Sequence, residues 1–342
     1  MTSWKRLLLP ATLAVVIFAT ACGGDDDDDE ASNGGGASGP TIKLGFSAWP
    51  GWFPWQVAEE QGIFEKAGVN VELVWFEGYL DSINALAAGQ LDANSQTLND
   101  TLASVAAGSD QPIVLVNDNS TGNDQIIVKS DINSVTDLKG KKIGVEAGVV
   151  DHFLLALGLK KAGLSLKDVE IENLETGAAA ASFAAGQLDA VGAFAPFTTN
   201  ALKRSGSKVL FSSKDFPGSI PDHLVVSGEF IEKNPEVVQK LVNAWFMTMD
   251  YIKANPDKSI EIMAKRAGVS VSEYKEYDSG TTLFTHAQNI SAYSDGSDIT
   301  HLPFAAKEIA AFMLENGFVE KEFDYSKVFA PQFVKAYSAE KS

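Results

Sequence analysis

Ala87-Ala88-Gly89-Gln90-Leu91-Asp92-Ala93 is spelled out a second time, ninety-seven positions on, as Ala184-Ala185-Gly186-Gln187-Leu188-Asp189-Ala190. Seven identical letters in an alanine-rich chain prove little unless their flanks keep step, and these do. Ile42-Lys43-Leu44-Gly45-Phe46 aligns with Lys141-Lys142-Ile143-Gly144-Val145, and Lys66-Ala67-Gly68-Val69 with Lys161-Ala162-Gly163-Leu164. Val71-Glu72-Leu73-Val74 aligns with Val169-Glu170-Ile171-Glu172. Each half thus reads strand, helix, strand, helix, strand, an α/β pattern that calls for parallel strands joined by right-handed crossovers. Two copies of so long a period point to two similar lobes, not a solenoid.

The 342 residues, 45% apolar and 21% charged, suffice for one large or two medium cores. Lys5-Arg6 precede an apolar run over 7–21 that Pro10 interrupts. It is shorter than the roughly 20 residues that span a bilayer as a helix, so 1–21 reads as a secretory signal peptide. Ala19-Thr20-Ala21-Cys22-Gly23 is similar to a bacterial lipoprotein processing site, in which Cys22 becomes the lipidated first residue. Ala19, where such sites usually carry leucine, leaves open an ordinary signal with a stray thiol. Six consecutive acids at 25–30 and a Gly/Ser-rich stretch make 22–40 a solvated tether. Formal net charge is −18, or −20 without Lys5 and Arg6, and −14 once the tether acids are also set aside. That balance disfavours nucleic acid as a partner. With one cysteine in the chain, an exported fold has no intramolecular disulfide and relies on packing.

Taken in order, residues 41–125 form the first lobe and 126–226 the second, with 227–335 packing back onto the first. Residues 126–128 and 224–226 are expected as strands that cross between lobes and make a two-strand hinge. Residues 117–124 read as a polar loop. Beyond them, helices are expected near 229–254, 257–266, 271–277 and 303–316, with 278–302 irregular.

Ligands of doubly wound sheets bind beyond the carboxyl ends of the strands, where loops and helix amino termini converge. The repeat picks out those positions as Trp49 and Trp52, Trp75 with Glu77, Asn99 and Asp100, Glu146 with Asp151, Glu175, and Phe194. Asp81, one turn into a helix, joins them. Each has a plainer alternative: the tryptophans as core, Glu77 and Glu175 as favourable charges at helix amino termini, Asp151 as a cap. Asp92 and Asp189, identical in both copies, read as architecture. The candidate set is aromatic and acidic, with no lysine or arginine. Anion sites usually recruit those bases, whereas a small cation suits aromatic faces and carboxylates. No nucleophile elbow, phosphate loop or zinc motif is present, and His152, His223, His286 and His301 lack metal-ligand spacing. The expectation is a binding protein without metal or cofactor, not an enzyme.

Gly62-Ile63-Phe64-Glu65-Lys66-Ala67-Gly68, the repeated heptad, Val135-Thr136-Asp137-Leu138-Lys139-Gly140-Lys141 and Ala195-Pro196-Phe197, with the lipoprotein-like start, together resemble solute-binding proteins of ABC importers. The class is the one for nitrate, sulfonates, taurine and thiamine precursors. The resemblance covers 41–335 and implies a two-lobed periplasmic-binding-protein fold, type II-like, each lobe a doubly wound, mostly parallel sheet. It further implies an extracytoplasmic, lipid-anchored monomer that delivers a small molecule to a permease and its ATPase. Ser47-Ala48-Trp49-Pro50-Gly51-Trp52 and Trp75-Phe76-Glu77-Gly78-Tyr79-Leu80-Asp81 look most like the subgroup tied to guanidine and urea-type nitrogen compounds. Nitrate, a sulfonate or taurine, a thiamine-precursor pyrimidine, or an enzyme or sensor on the same scaffold stand as alternatives.

Overall fold

The computed structural model describes residues 39–337, so the signal, Cys22 and nearly all of the tether lie outside the described residues. The chain runs β1 (Thr41–Phe46), α1 (Pro54–Glu60), α2 (Ile63–Lys66), β2 (Asn70–Trp75), α3 (Tyr79–Ala87), β3 (Ala93–Thr97), α4 (Leu98–Ala106) and β4 (Ile113–Ser120). Next come β5 (Asp124–Val128), β6 (Lys142–Val145), α5 (Val150–Lys161), β7 (Glu170–Asn173), α6 (Thr176–Ala184), β8 (Ala190–Phe194), α7 (Phe197–Ala201), β9 (Lys208–Ser212) and β10 (Pro221–Val226). Helices α8 (Gly228–Lys233), α9 (Pro235–Ala254), α10 (Pro256–Ala267) and α11 (Val271–Glu276) lead to β11 (Thr281–Leu283), α12 (His286–Ala292), α13 (Leu302–Asn316) and α14 (Gln332–Ala336).

Two sheets result, ordered β11-β4-β10-β3-β1-β2 and β7-β6-β8-β5-β9. The repeat builds the equivalent parts: β1 pairs in parallel with β2 and β3, and β6 with β7 and β8. The heptad does the same work in each. Asp92 Oδ2 accepts the Lys43 N–H at 2.8 Å, and Asp189 Oδ2 accepts that of Lys142 at 3.0 Å. Leu91 and Leu188 fill the space a side chain would need at Gly45 and Gly144. Gly89 and Gly186, at φ +71° and +82°, end the preceding helices in the left-handed conformation that glycine adopts without steric cost.

The expected mostly parallel sheets are in fact mixed. β10 is antiparallel between β3 and β4, and β5 is antiparallel between β8 and β9. Residues 126–128 and 224–226 are therefore interior sheet strands, and the chain changes sheet in the short links 121–123 and 213–220. Each link is anchored: Ser213 Oγ lies 2.7 Å from Ser120 Oγ at the end of β4, and Asn123 Nδ2 donates to Tyr277 O at 2.8 Å. β4 also runs on through Asn117 and Asp118, expected as loop, because β10 and β11 pair with it on both sides. The stretch 278–302 holds β11 and α12. The signal for α12 was legible, since Thr285 and Gln288 form a reciprocal capping box.

The carboxy-terminal helices close over the first sheet. Trp245 of α9 meets Trp55 of α1 with centroids 4.6 Å apart, and both rings are fully buried. The Asn289 side chain of α12 accepts from Val116 N at 2.7 Å and donates to Val116 O at 3.0 Å, pinning β4.

Candidate functional site

Between the sheets, the loop after β1 and the start of α3 meet the ends of β3 and β8. Trp49, Trp52, Tyr79, Thr97, Val150 and Phe194 line a tightly closed cavity there, and Asp124 and Asp222 complete it; its free volume is about 10 Å³, room for about one water. Its walls are rings set edge to face or tilted. Phe194 stands perpendicular to Trp49 and Tyr79, each at 6.3 Å, and Trp52 leans on Tyr79 at 5.2 Å. Phe194 ends a strand of the second sheet, whereas Trp49 and Trp52 follow β1 of the first sheet and Tyr79 opens α3, so elements on both sides contribute. A second link across the gap is the Leu80 N–H, which donates to Glu146 Oε1 at 3.3 Å, while Thr176 Oγ1 donates to Oε2 at 3.1 Å.

Beneath the rings lies a cluster of buried carboxyl groups. Trp49 Nε1 donates to Asp118 Oδ1 at 3.0 Å. Asp118 stands directly across from Asp222 in the β4–β10 register. Oδ2 atoms of Asp118, Asp124 and Asp222 are all buried without a hydrogen-bond partner. Two ionised carboxylates cannot bond to each other, whereas one shared proton lets Asp222 donate to Asp118. Among the described residues, no lysine, arginine or histidine forms an ion pair with any acid of this cluster. Burial accordingly pushes Asp118 up to about 8 and Asp100 and Asp124 to about 7. Asp222 and Asp151 rise well above the carboxylate range, again from burial first, with Asp118 adding its charge at Asp222. Asp124 is the common neighbour: its charge raises Asp100, Asp118, Asp151 and Asp222 alike.

The residues expected at the site fall into three groups. Trp49, Trp52 and Phe194 line the cavity. Asn99, Asp100, Glu146 and Asp151 are buried around it. Thr97 Oγ1 donates to Asp100 Oδ2 at 2.6 Å, and Asn99 Nδ2 donates to Asp100 Oδ1 at 2.7 Å. Asp151 accepts from the Glu146 N–H at 3.2 Å. Trp75, Glu77, Asp81 and Glu175 are not among the lining residues. The Arg266 guanidinium lies 3.7 Å from the centre of the Trp75 ring, whose Nε1 donates to Glu77 Oε1 at 2.8 Å. Asp81 is exposed in the first turn of α3, and Glu175 caps α6 through the Gly177 and Ala178 N–H groups.

Sequence reasoning passed over Tyr79, Asp118, Asp124 and Asp222. The rule of carboxyl strand ends overlooks antiparallel strands, which bring their beginnings to the same edge. Asp222 lies opposite Thr97, and Asp124 opposite Phe194. The repeat of acids Asp118, Asp124 and Asp222 near predicted strand boundaries was the available clue.

Gly51 holds the loop against this cluster: a Cβ there would sit 1.8 Å from Asp118 Oδ2. Gly51→Ala should lower the melting temperature, with a cost of about 1–3 kcal/mol for overpacking. It should also weaken ligand binding by displacing the Asp118 carboxylate, which calorimetric titration of the variant checks.

The profile of the family described as NMT1/THI5 like matches residues 49–259. A putative binding protein of Brucella abortus (strain 2308) is 29% identical over 245 residues, 70% of this chain and 76% of that protein. The taurine-binding periplasmic protein of Escherichia coli (strain K12) is 29% identical over 294 residues, 82% of this chain and 89% of that protein. The alkanesulfonate-binding protein SsuA from Xanthomonas axonopodis pv. citri, solved bound to MOPS, superposes with a TM-score of 0.70 at 21% identity, covering 83% of this chain and 96% of that one. With a periplasmic-binding-protein fold and a family profile spanning more than half its length, the chain belongs to the NMT1/THI5-like family.

Proposed function

We propose that this chain is the extracytoplasmic solute-binding component of an ABC importer, and that it captures a small planar cation of the guanidinium type between its two lobes. The observation that carries the cation reading is the cavity itself: aromatic walls, unpartnered carboxylate oxygens and no basic side chain. Guanidinium is planar, permanently charged and rich in donors. Its edges suit carboxylates, and its face suits an indole, a desolvated contact worth up to about 2 kcal/mol.

In this reading the lobes meet at links 121–123 and 213–220, closure brings Glu146 to Leu80 and Phe194 to Trp49, and a permease with its ATPase receives the closed form. Residues 1–21 are removed, Cys22 carries the lipid, and 22–40 holds a single body off the membrane. The ligand is released unchanged.

The names of the relatives favour a second reading, a sulfonate or taurine. An anion would have to enter beside several acids with no base to receive it. A thermal-shift panel of guanidine, methylguanidine, urea, nitrate, taurine and a hydroxymethylpyrimidine separates the readings. Ligand at about 100 times its dissociation constant stabilises by about 2.7 kcal/mol. Guanidine should raise the melting temperature; a response to taurine or nitrate with none to guanidine overturns the cation reading.

A further inference from the structure

One polar atom of a cavity-lining side chain makes a demand opposite to that of the acids. Trp52 is 2% exposed and lines the cavity, and its Nε1 is buried with no hydrogen-bond partner. An indole N–H donates and never accepts. Its neighbours in sequence are satisfied: Trp49 donates to Asp118, and Trp55 donates to Ser95 Oγ at 2.9 Å. Trp245 also has an unpartnered indole nitrogen, but its ring lies in the core against Trp55. Trp52 is distinguished by sharing its walls with two carboxylates, Asp124 and Asp222, whose Oδ2 atoms are likewise unpartnered. Bare guanidinium fills the acceptors and leaves the donor empty, because all its polar hydrogens point outward and its nitrogens have no free lone pair.

We propose that the ligand is a planar amidinium or guanidinium bearing its own acceptor, a carbonyl or hydroxyl oxygen beside the charged group, with the N–H edge on Asp124 and Asp222 and the oxygen on Trp52 Nε1. This rests on the cation reading of the same site. A buried donor left unpaired discriminates by about tenfold or more between ligands that do and do not satisfy it.

The test is calorimetric titration at pH 7 with guanidinium, methylguanidinium and carbamoylguanidinium, on the wild-type protein and on Trp52→Phe. Carbamoylguanidinium should bind at least about tenfold more tightly than methylguanidinium, which adds bulk without an acceptor. Trp52→Phe keeps a ring and removes the donor, so it should bring that ratio close to one. A loss of packing alone would weaken both ligands and leave the ratio in place. Equal wild-type affinities overturn the proposal, as does a ratio that survives in Trp52→Phe; the wild-type comparison needs no variant to fold. If guanidinium binds and the ratio is one, the proposal falls alone. If none of the three binds, the cation reading falls with it.

Discussion

Asp124→Asn should bind guanidinium about 100-fold more weakly than the wild type, or worse, and should melt at a higher temperature without ligand. The two effects share one cause. Asp124 lines the cavity, is 2% exposed and has an unpartnered Oδ2, so in the proposed complex its charge would face the cation with little water to screen it. Truncating one partner of such a buried charge pair costs about 2–5 kcal/mol. Without ligand the same charge is a burden, because it repels Asp100, Asp118, Asp151 and Asp222 and raises each of them. Asparagine keeps the shape and removes the repulsion. Titration calorimetry and a thermal melt on the same preparation check both signs. A variant that retains wild-type affinity, or that melts lower when empty, defeats the assignment.

Between pH 5 and 8.5 the stability of the unliganded protein should fall, while affinity for guanidinium should rise. Asp100, Asp118 and Asp124 move from an ordinary 3.8 to about 7, 8 and 7 through burial. Their folded pKa values lie above the unfolded ones, so the folded state holds protons that the unfolded chain has released. The associated stability is complete below the unfolded value and is lost as pH climbs through 7 to 8. For Asp100 alone it is on the order of 4 kcal/mol. A bound cation favours the ionised carboxylates, so binding strengthens over the same interval, and guanidinium itself does not titrate there. Melting curves with and without saturating guanidinium should diverge as pH rises. Parallel curves would mean that the cation does not sit against these acids.

Much of this site was visible before folding was considered. The loop after β1 supplied Trp49 and Trp52 and the end of β8 supplied Phe194, all three of which line the cavity, and the absence of bases at strand ends is what the proposed cation reading rests on. Trp75 shows where that reasoning stops. It occupies the strand end expected of a ligand contact, yet Arg266, nearly two hundred residues away, covers its face. No local pattern records that a distant helix will bring a cation there. Glu175 shows another limit, since a carboxylate before a helix serves as a cap or a ligand contact from the same sequence position, and here Gly177 and Ala178 take it.

The sequence by itself determined the duplicated α/β halves, because Leu91 with Asp92 and Leu188 with Asp189 encode local packing that each half repeats within its own strands and helices. It also picked out three of the cavity's rings, Trp49, Trp52 and Phe194, because the carboxyl ends of parallel strands are legible in a one-dimensional pattern. Which carboxylates converge was decided by tertiary structure. Asp118, Asp124 and Asp222 meet because β5 and β10 change sheets and enter antiparallel, so their first residues arrive beside the last residues of β3 and β8. Strand direction inside a sheet is fixed by pairing partners distant in the chain, and a run of apolar letters reads the same in either direction.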